Sequence, residues 1–308
     1  MYPDVSYLLQ DIIGITPDNL TAIFKTYGIF LFLGIYIASK IFEKETKSKL
    51  GFLFEEGPRK ALPPNFRNNI LFIVAVAGIV GSKIIVLIEE YEVFYNNDII
   101  DAIFRKIGIS FYGGLIGAAI ALIFYIKKAK MNILPALDAT SPAILIGYSL
   151  GRLGCHFSGD GDWGIASGVQ PNWWLLPDWM WSYNYPHNVA NRGSWIENCD
   201  FNYCKVLDIA VFPTSAYESI ICLFIFIFFI SKIWIALPGT VFSIYLILSS
   251  IERFFNEFIR INKKHDFFGV VLSQAQFISI ILVLLAFGLL LILYRHKIMK
   301  GLWFLFNK

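Results

Sequence analysis

Charge is scarce in this sequence. Asp, Glu, Lys and Arg make up 16% of the 308 residues, against 56% for the apolar types. An ordinary soluble domain carries about 25% charged residues, so that class is excluded. The formal net charge of +3 is small and offers no basic footprint for nucleic acid. Cysteine is limited to Cys155, Cys199, Cys204 and Cys222, with no CxxC pattern of the kind that holds zinc. The opening stretch MYPDVSYLLQDIIG has no basic residue. It therefore lacks the positive n-region of a cleavable signal peptide and is expected to be retained at the outer membrane surface. The chain also lacks a soluble domain, an internal repeat and a low-complexity tract.

What the chain does have is length in its apolar runs. About seven segments approach the roughly 17–25 residues needed to span a bilayer. They fall near Leu20–Phe42, Asn69–Glu89, Ser110–Ile126, Pro135–Phe157, Thr214–Ile235, Gly239–Phe258 and Ala275–Tyr294. The expected fold is an all-α polytopic membrane protein, a single integral membrane domain over residues 1–308. Orientation follows from where Lys and Arg lie, because cytoplasmic loops carry the excess. Lys40 to Arg67, Lys127 to Lys130, Lys232 and the tail from Arg295 to Lys308 fall on one side. Arg105, Lys106, Arg192, Lys205, Arg260, Lys263 and Lys264 fall on the other. That is about 15 against about 7, which predicts the N-terminus outside and the C-terminus inside.

Between the fourth and fifth segments lies the one sizeable polar insertion, residues 158–211. It holds Trp163, Trp173, Trp174, Trp179, Trp181 and Trp195 with Tyr183, Tyr185 and Tyr203. Indole and phenol rings favour the headgroup level, so this loop is expected to cap the outer face. Cys199 and Cys204 lie within it and are placed to pair if that face is oxidising. Cys222 sits in an apolar run and reads as a packing residue.

Two of the apolar runs carry arginine. The first ends in GRLGCHFSGDGDWG, Gly151 to Gly164, with Arg152 followed by His156, Asp160 and Asp162. An arginine inside a bilayer costs roughly 2.5–3.5 kcal/mol even on a lenient scale. An anionic ligand would offset that, and a guanidinium presents paired donors that suit phosphate oxygens. The second run carries Arg253, Glu257 and Arg260, spacings that share one helix face, with Ser249, Ser250 and Asn256 on or near it. From an inner end near Gly239, Arg253 lies roughly 20 Å along the helix, in the outer part of the membrane. Mutual neutralisation of Arg253 and Glu257 is the plainer alternative. His156 and His187 are candidate bases, since histidine titrates near neutral pH. Asp160 and Asp162 suggest a tight polar turn without the further ligands of a calcium loop. Gly113 and Gly114 suit either a close helix crossing or a headgroup approaching backbone.

Together these segments resemble the prolipoprotein diacylglyceryl transferase family. GRLGCHFSGDGDWG is similar to that family's GRxGNFxNxExxG signature, and SFYGGLIG (Ser110–Gly117) to its HGGLxG segment. FPTSAYE (Phe212–Glu218) resembles its HPxQxYE, ERFFNEFIR (Glu252–Arg260) its late arginine–glutamate–arginine helix, and TYGIFLFLG (Thr26–Gly34) its early WYG span. The five occur in family order. Tyr112 replaces the family's proposed key histidine, Cys155 its asparagine and Phe212 its second histidine. One extra residue precedes Trp163, so the signature acid corresponds to Asp160 or Asp162.

The resemblance implies a bacterial inner-membrane transferase. It would move the diacylglyceryl group of phosphatidylglycerol to the lipobox cysteine thiol of a prolipoprotein signal peptide, releasing glycerol phosphate without a cofactor or metal. Catalytic residues carried over are Tyr112, Arg152, Arg253 and Glu257, with His156 as a replacement base. Substrate contacts are Arg152, Arg253, Arg260, Tyr27, Gly113, Gly114, Asp160, Asp162, Tyr217 and Glu218. A lipid or small-anion transporter built on the same arginines is the alternative.

Overall fold

A computed structural model describes residues 1–14, 21–54, 62–89, 111–199, 202–231, 237–262, 264–267 and 269–306. Arg59, Lys60, Arg105, Lys106, Lys232, Lys263 and Lys308, which entered the charge comparison, lie outside them. The order is α1 (Val5–Ile13), α2 (Thr26–Ser48), a single turn Leu50–Leu53, α3 (Phe66–Glu89), α4 (Phe111–Lys128), α5 (Ile133–Ser158), β1 (Ser194–Trp195), β2 (Lys205–Val206), α6 (Thr214–Ile230), α7 (Thr240–Asn256), β3 (Lys264–Phe267), β4 (Val270–Ser273) and α8 (Gln274–Phe306). Among the described residues, four helical stretches are long and apolar enough to cross a membrane: Thr26–Ser48, Phe66–Ile88, Ile133–Ser158 and Gln274–Arg295. α6 is apolar but shorter. The expected helical membrane protein is present, with a helix in each apolar run.

The chain divides into two compact units, residues 42–139 and residues 1–41 with 140–308. In the first, α3 and α4 cross on glycine. A Cβ on Gly81 would stand 2.5 Å from the carbonyl oxygen of Gly113, and one on Gly113 equally close to that of Gly81. Gly114 faces the Gly78 carbonyl oxygen, 3.4 Å from where its own Cβ would be. These positions serve a backbone-to-backbone crossing, which uses the glycines that sequence reasoning offered to a lipid headgroup.

In the second unit, Leu145 and Ile146 of α5 pack on Cys222, Phe226 and Phe229 of α6, with Val241, Ile244, Tyr245 and Leu248 of α7 against them. Cys222 is thus a core residue, as its setting predicts. The Ser149 hydroxyl donates to the Ser219 carbonyl at 2.8 Å, satisfying a buried polar group across the same two helices.

The insertion between α5 and α6 folds on Trp163, Tyr185 and Val211. Asn188, fully buried, donates to the carbonyls of Tyr185, Arg192 and Lys205 and accepts from the Arg192 amide. Cys199 and Cys204 are disulfide-bonded, with Cα atoms 5.7 Å apart. α1 attaches to this cap through Tyr7, whose hydroxyl donates to the Tyr203 carbonyl and accepts from its amide at 2.8 Å.

Candidate active site

Pro213 precedes the first residue of α6 as its N-cap, where its ring fixes φ and its missing N–H costs nothing. Glu218 follows in the second turn and is fully buried. Three arginines converge on it. Arg253 Nη1 lies 2.7 Å and Arg260 Nη1 3.1 Å from its Oε1, and Arg152 Nε pairs with its Oε2. Asn256 donates to Oε1 at 2.5 Å, and the Tyr148 hydroxyl to Oε2 at 2.8 Å. Arg152 also stands over the Tyr148 ring, 5.7 Å from its centroid, close enough for a cation–π contact.

Two more carboxylates complete the cluster. Asp162 pairs with Arg152 Nη1 and with Arg260 Nη2. Glu257 Oε2 lies 3.0 Å from Arg253 Nη2 and 3.8 Å from Arg260 Nε. Glu257 reaches Arg253 because they are one helical turn apart. Arg260 follows after the helix tightens into the 3-10 turn Glu257–Ile259 and the backbone becomes extended at φ −90° and ψ 154°. The arginine cost expected to be met by an anionic ligand is therefore met first by protein: three guanidiniums face three carboxylates. Buried charges persist in a membrane when paired in this way. Arg152 Nε, Arg152 Nη2 and Arg260 Nε are buried without a hydrogen bond among the described residues, and of these Arg152 Nη2 also has no carboxylate in an ion pair.

The structure separates the two aspartates that the signature left open. Gly159 (φ 62°) and Gly161 (φ 101°) occupy left-handed backbone, which glycine adopts without a Cβ clash. The chain therefore turns back after α5 and brings Asp162 onto Arg152. Asp160 is exposed and accepts from the Asp162 amide at 3.2 Å. Burial opposes ionisation of Asp162, but Arg152 and Arg260 outweigh it and hold its carboxyl below the usual range. Its stabilising pairs are fully present above the ordinary aspartate pKa and are lost as pH falls through the depressed value.

Gly164 shows why the turn ends in glycine. Its amide donates to the Phe212 carbonyl at 2.8 Å, and the Ile165 amide to the Ile259 carbonyl at 2.8 Å. A Cβ on Gly164 would stand 2.5 Å from the Ile259 oxygen and 2.9 Å from Thr214 Cγ2. Gly164→Ala is expected to push the turn off α7 and shift Asp162 from Arg260. Turnover in that variant should fall at least tenfold. Gly168→Ala, with nothing within 4 Å of the new methyl, should leave it unchanged.

Other expected site residues have other partners. His156 is buried, its Nδ1 3.1 Å from the Tyr185 hydroxyl, and its ring lies among Phe157, Trp179, Tyr183 and Tyr185. These contacts pack the cap onto α5. His187 Nδ1 is 2.8 Å from the Tyr203 carbonyl oxygen, beside the disulfide. The Tyr217 hydroxyl donates to the Met180 carbonyl, so it ties α6 to the cap and does not enter the cluster. Tyr27, half-exposed, packs along Gly154 at the start of α2. Tyr112 lies in the first turn of α4, and its side chain falls outside the described residues.

Sequence reasoning missed Tyr148, although its spacing of four from Arg152 was a usable signal. It placed Asn256 near the arginine stripe without a partner. It also gave no task to Glu252, which is buried next to Arg253 in sequence, with Oε1 unpartnered among the described residues.

A family model described as prolipoprotein diacylglyceryl transferase matches residues 19–292. The chain belongs to that family. A Dehalococcoides mccartyi protein named phosphatidylglycerol–prolipoprotein diacylglyceryl transferase is 32% identical over 233 residues, 74% of this chain and 76% of that protein. A Prochlorococcus marinus protein of the same name is 28% identical over 283 residues, covering 84% of each. One from Leptospira interrogans is 26% identical over 265 residues, 78% of this chain and 72% of the relative. Membership makes the chain a membrane transferase, and the transporter reading is not favoured.

Proposed function

We propose that this protein transfers the diacylglyceryl group of phosphatidylglycerol to the lipobox cysteine thiol of a prolipoprotein and releases glycerol phosphate. The observation that carries the reading is the set of three arginines sharing one buried glutamate, with Arg152 Nη2 paired to no carboxylate among the described residues. The family membership supplies the substrate class.

The reaction sets three tasks. The thiol loses its proton, because thiolate is the nucleophile. Sulfur then bonds to the glyceryl carbon that carries the phosphodiester oxygen. The carbon–oxygen bond breaks and its electrons pass to the leaving phosphate. Charge therefore grows on phosphate oxygens as the bond breaks. Donors fixed before the reaction stabilise such charge most effectively. Arg152 and Arg253 hold the phosphate, with Arg152 Nη2 donating to one of its oxygens. Arg260 and Asp162 keep Arg152 in place, and Glu257 does the same for Arg253. Glu218 fixes the spacing of all three. Tyr27 and Asp160 stand at the rim for the headgroup. Holding lipid and peptide together supplies much of the remaining barrier reduction.

Tyr112 takes the sequence position of the family histidine. An unperturbed tyrosine, with a pKa of about 10, is a poor base at neutral pH, so the role proposed for its hydroxyl is hydrogen bonding, not proton abstraction. Tyr112→Phe should lower kcat with little change in thermal stability, and Tyr112→His should preserve it. Equal rates in the wild type and the Phe variant would remove Tyr112 from the site.

The topology proposed for this activity is seven spans with the N-terminus outside and the C-terminus inside. The 158–211 cap and the arginine cluster then meet the outer leaflet, within a single functional membrane domain of the bacterial inner membrane. Expression in cells depleted of their own diacylglyceryl transferase tests the reading in vivo. Conversion of accumulated lipoprotein precursors to the lipidated form supports it. Unchanged precursors, with the protein present in the membrane, oppose it.

A further inference from the structure

Residues 165–181, at the edge of the cap, have a composition and a fold that the transfer reaction does not explain. In IASGVQPNWWLLPDWMW the only charged side chain is Asp178. Val169 and Leu175 are 96% and 95% exposed, and Trp173, Leu176 and Trp179 are also exposed. Lone exposed apolar residues are ordinary, but a group of this size at one tip marks an interaction surface.

Several polar groups of the same segment bond within it. The Trp181 indole donates to the Gly168 carbonyl at 2.9 Å, and the Gln170 amide to Asp178 Oδ1 at 3.0 Å. The Trp174 indole points to the Pro177 carbonyl at 3.4 Å, and Trp181 and Ser182 amides donate to the Asp178 carbonyl. Trp174 and Trp181 meet edge to face with centroids 5.1 Å apart, and Trp181 packs on Phe212. The segment is thus held together by a few hydrogen bonds of its own and presents apolar side chains outward.

The root of the segment fixes where the tip emerges. The Ile165 amide bonds the Ile259 carbonyl at the outer end of α7, beside the exposed apolar side chains of Phe255, Phe258 and Ile261. The apolar surface thus continues from a membrane helix into the cap. Tryptophan is the residue type most at home at that boundary. We infer that the 165–181 tip inserts into the outer-leaflet interface of the bilayer, with the side chains of Val169, Trp173, Leu175 and Leu176 reaching toward the acyl chains and its backbone and Asp178 at headgroup level. The occupant of this surface is lipid, and the insertion holds the cap against the membrane beside the arginine cluster.

Site-directed spin labelling tests this without any activity measurement. Cys155 and Cys222 are buried and Cys199 and Cys204 are bonded to each other, so a nitroxide reagent reports on an introduced cysteine. Labels are placed at Leu175→Cys and Val169→Cys, with Ser194→Cys as an aqueous reference and Leu284→Cys, exposed midway along α8, as a lipid reference. The full-length protein is reconstituted in phosphatidylethanolamine–phosphatidylglycerol vesicles. Collisions with oxygen and with a water-soluble nickel chelate are then compared. Insertion predicts oxygen dominance at 175 and 169, approaching the 284 label, and nickel dominance at 194. Nickel dominance at 175 and 169 equal to that at 194 places the tip in water and overturns the inference. Exclusion of both reagents at 175 and 169 means protein covers the tip, which also overturns it. Any of these results leaves the transfer reaction to its own assay.

Discussion

Glu218→Gln is expected to have the largest effect on stability of any single change in the cluster. The substitution keeps size and shape but removes the negative charge shared by Arg152, Arg253 and Arg260. Breaking a buried ion pair from one side costs about 3–5 kcal/mol, because the remaining charge is stranded. Here the cluster would be left with three guanidiniums against Asp162 and Glu257. Thermal unfolding in detergent should shift down by that equivalent, and transfer should drop to background. Added phosphatidylglycerol should recover part of the thermal shift, since a ligand that binds only the folded state stabilises it. A variant as stable as the wild type would show that the arginines do not depend on Glu218.

Arg253→Ala should lower turnover strongly at small cost in folding. Arg253 is the most exposed of the three, with 26% of its side chain accessible against 12% for Arg152 and 10% for Arg260. Its removal strands no carboxylate. Glu218 keeps Arg152, Arg260, Asn256 and Tyr148, and Glu257 keeps Arg260 and the Asn262 amide, which donates to Oε1 at 2.5 Å. The protein should insert and melt near the wild type. Loss of one preorganised donor to a developing oxyanion typically costs about 10²–10³ in kcat, and that is the fall expected. Arg253→Lys should recover only part, because a point charge does not replace a planar fork. A fall in apparent affinity with kcat intact would instead assign Arg253 to ground-state lipid binding.

The sequence carried the helices and the arginine face because both are local. Each apolar run holds a helix, and Arg253 and Glu257 meet because a helix brings residues four apart together. The signature drew attention to the right turn, but only the left-handed glycines at 159 and 161 decide that Asp162, not Asp160, returns to Arg152. Glu218 was legible as a site residue through its resemblance to a motif, yet its partners lie on three other stretches of chain. No spacing rule links residue 218 to 152, 253 and 260. The same limit explains His156. Its surroundings come from Trp179, Tyr183 and Tyr185 folding back over α5, which the residues next to it in sequence do not announce. Tyr217 looked like a site residue beside Glu218, but adjacent positions on a helix point about 100° apart, and its hydroxyl faces the cap instead.

The central claim is that this cluster moves a diacylglyceryl group onto a thiol. The most direct test combines purified protein, phosphatidylglycerol and a peptide bearing a lipobox cysteine, with the peptide weighed by mass spectrometry. The account predicts a gain of one diacylglyceryl mass on the cysteine peptide and none on its serine counterpart. No gain on the cysteine peptide, from folded protein alongside an active control enzyme, would contradict it.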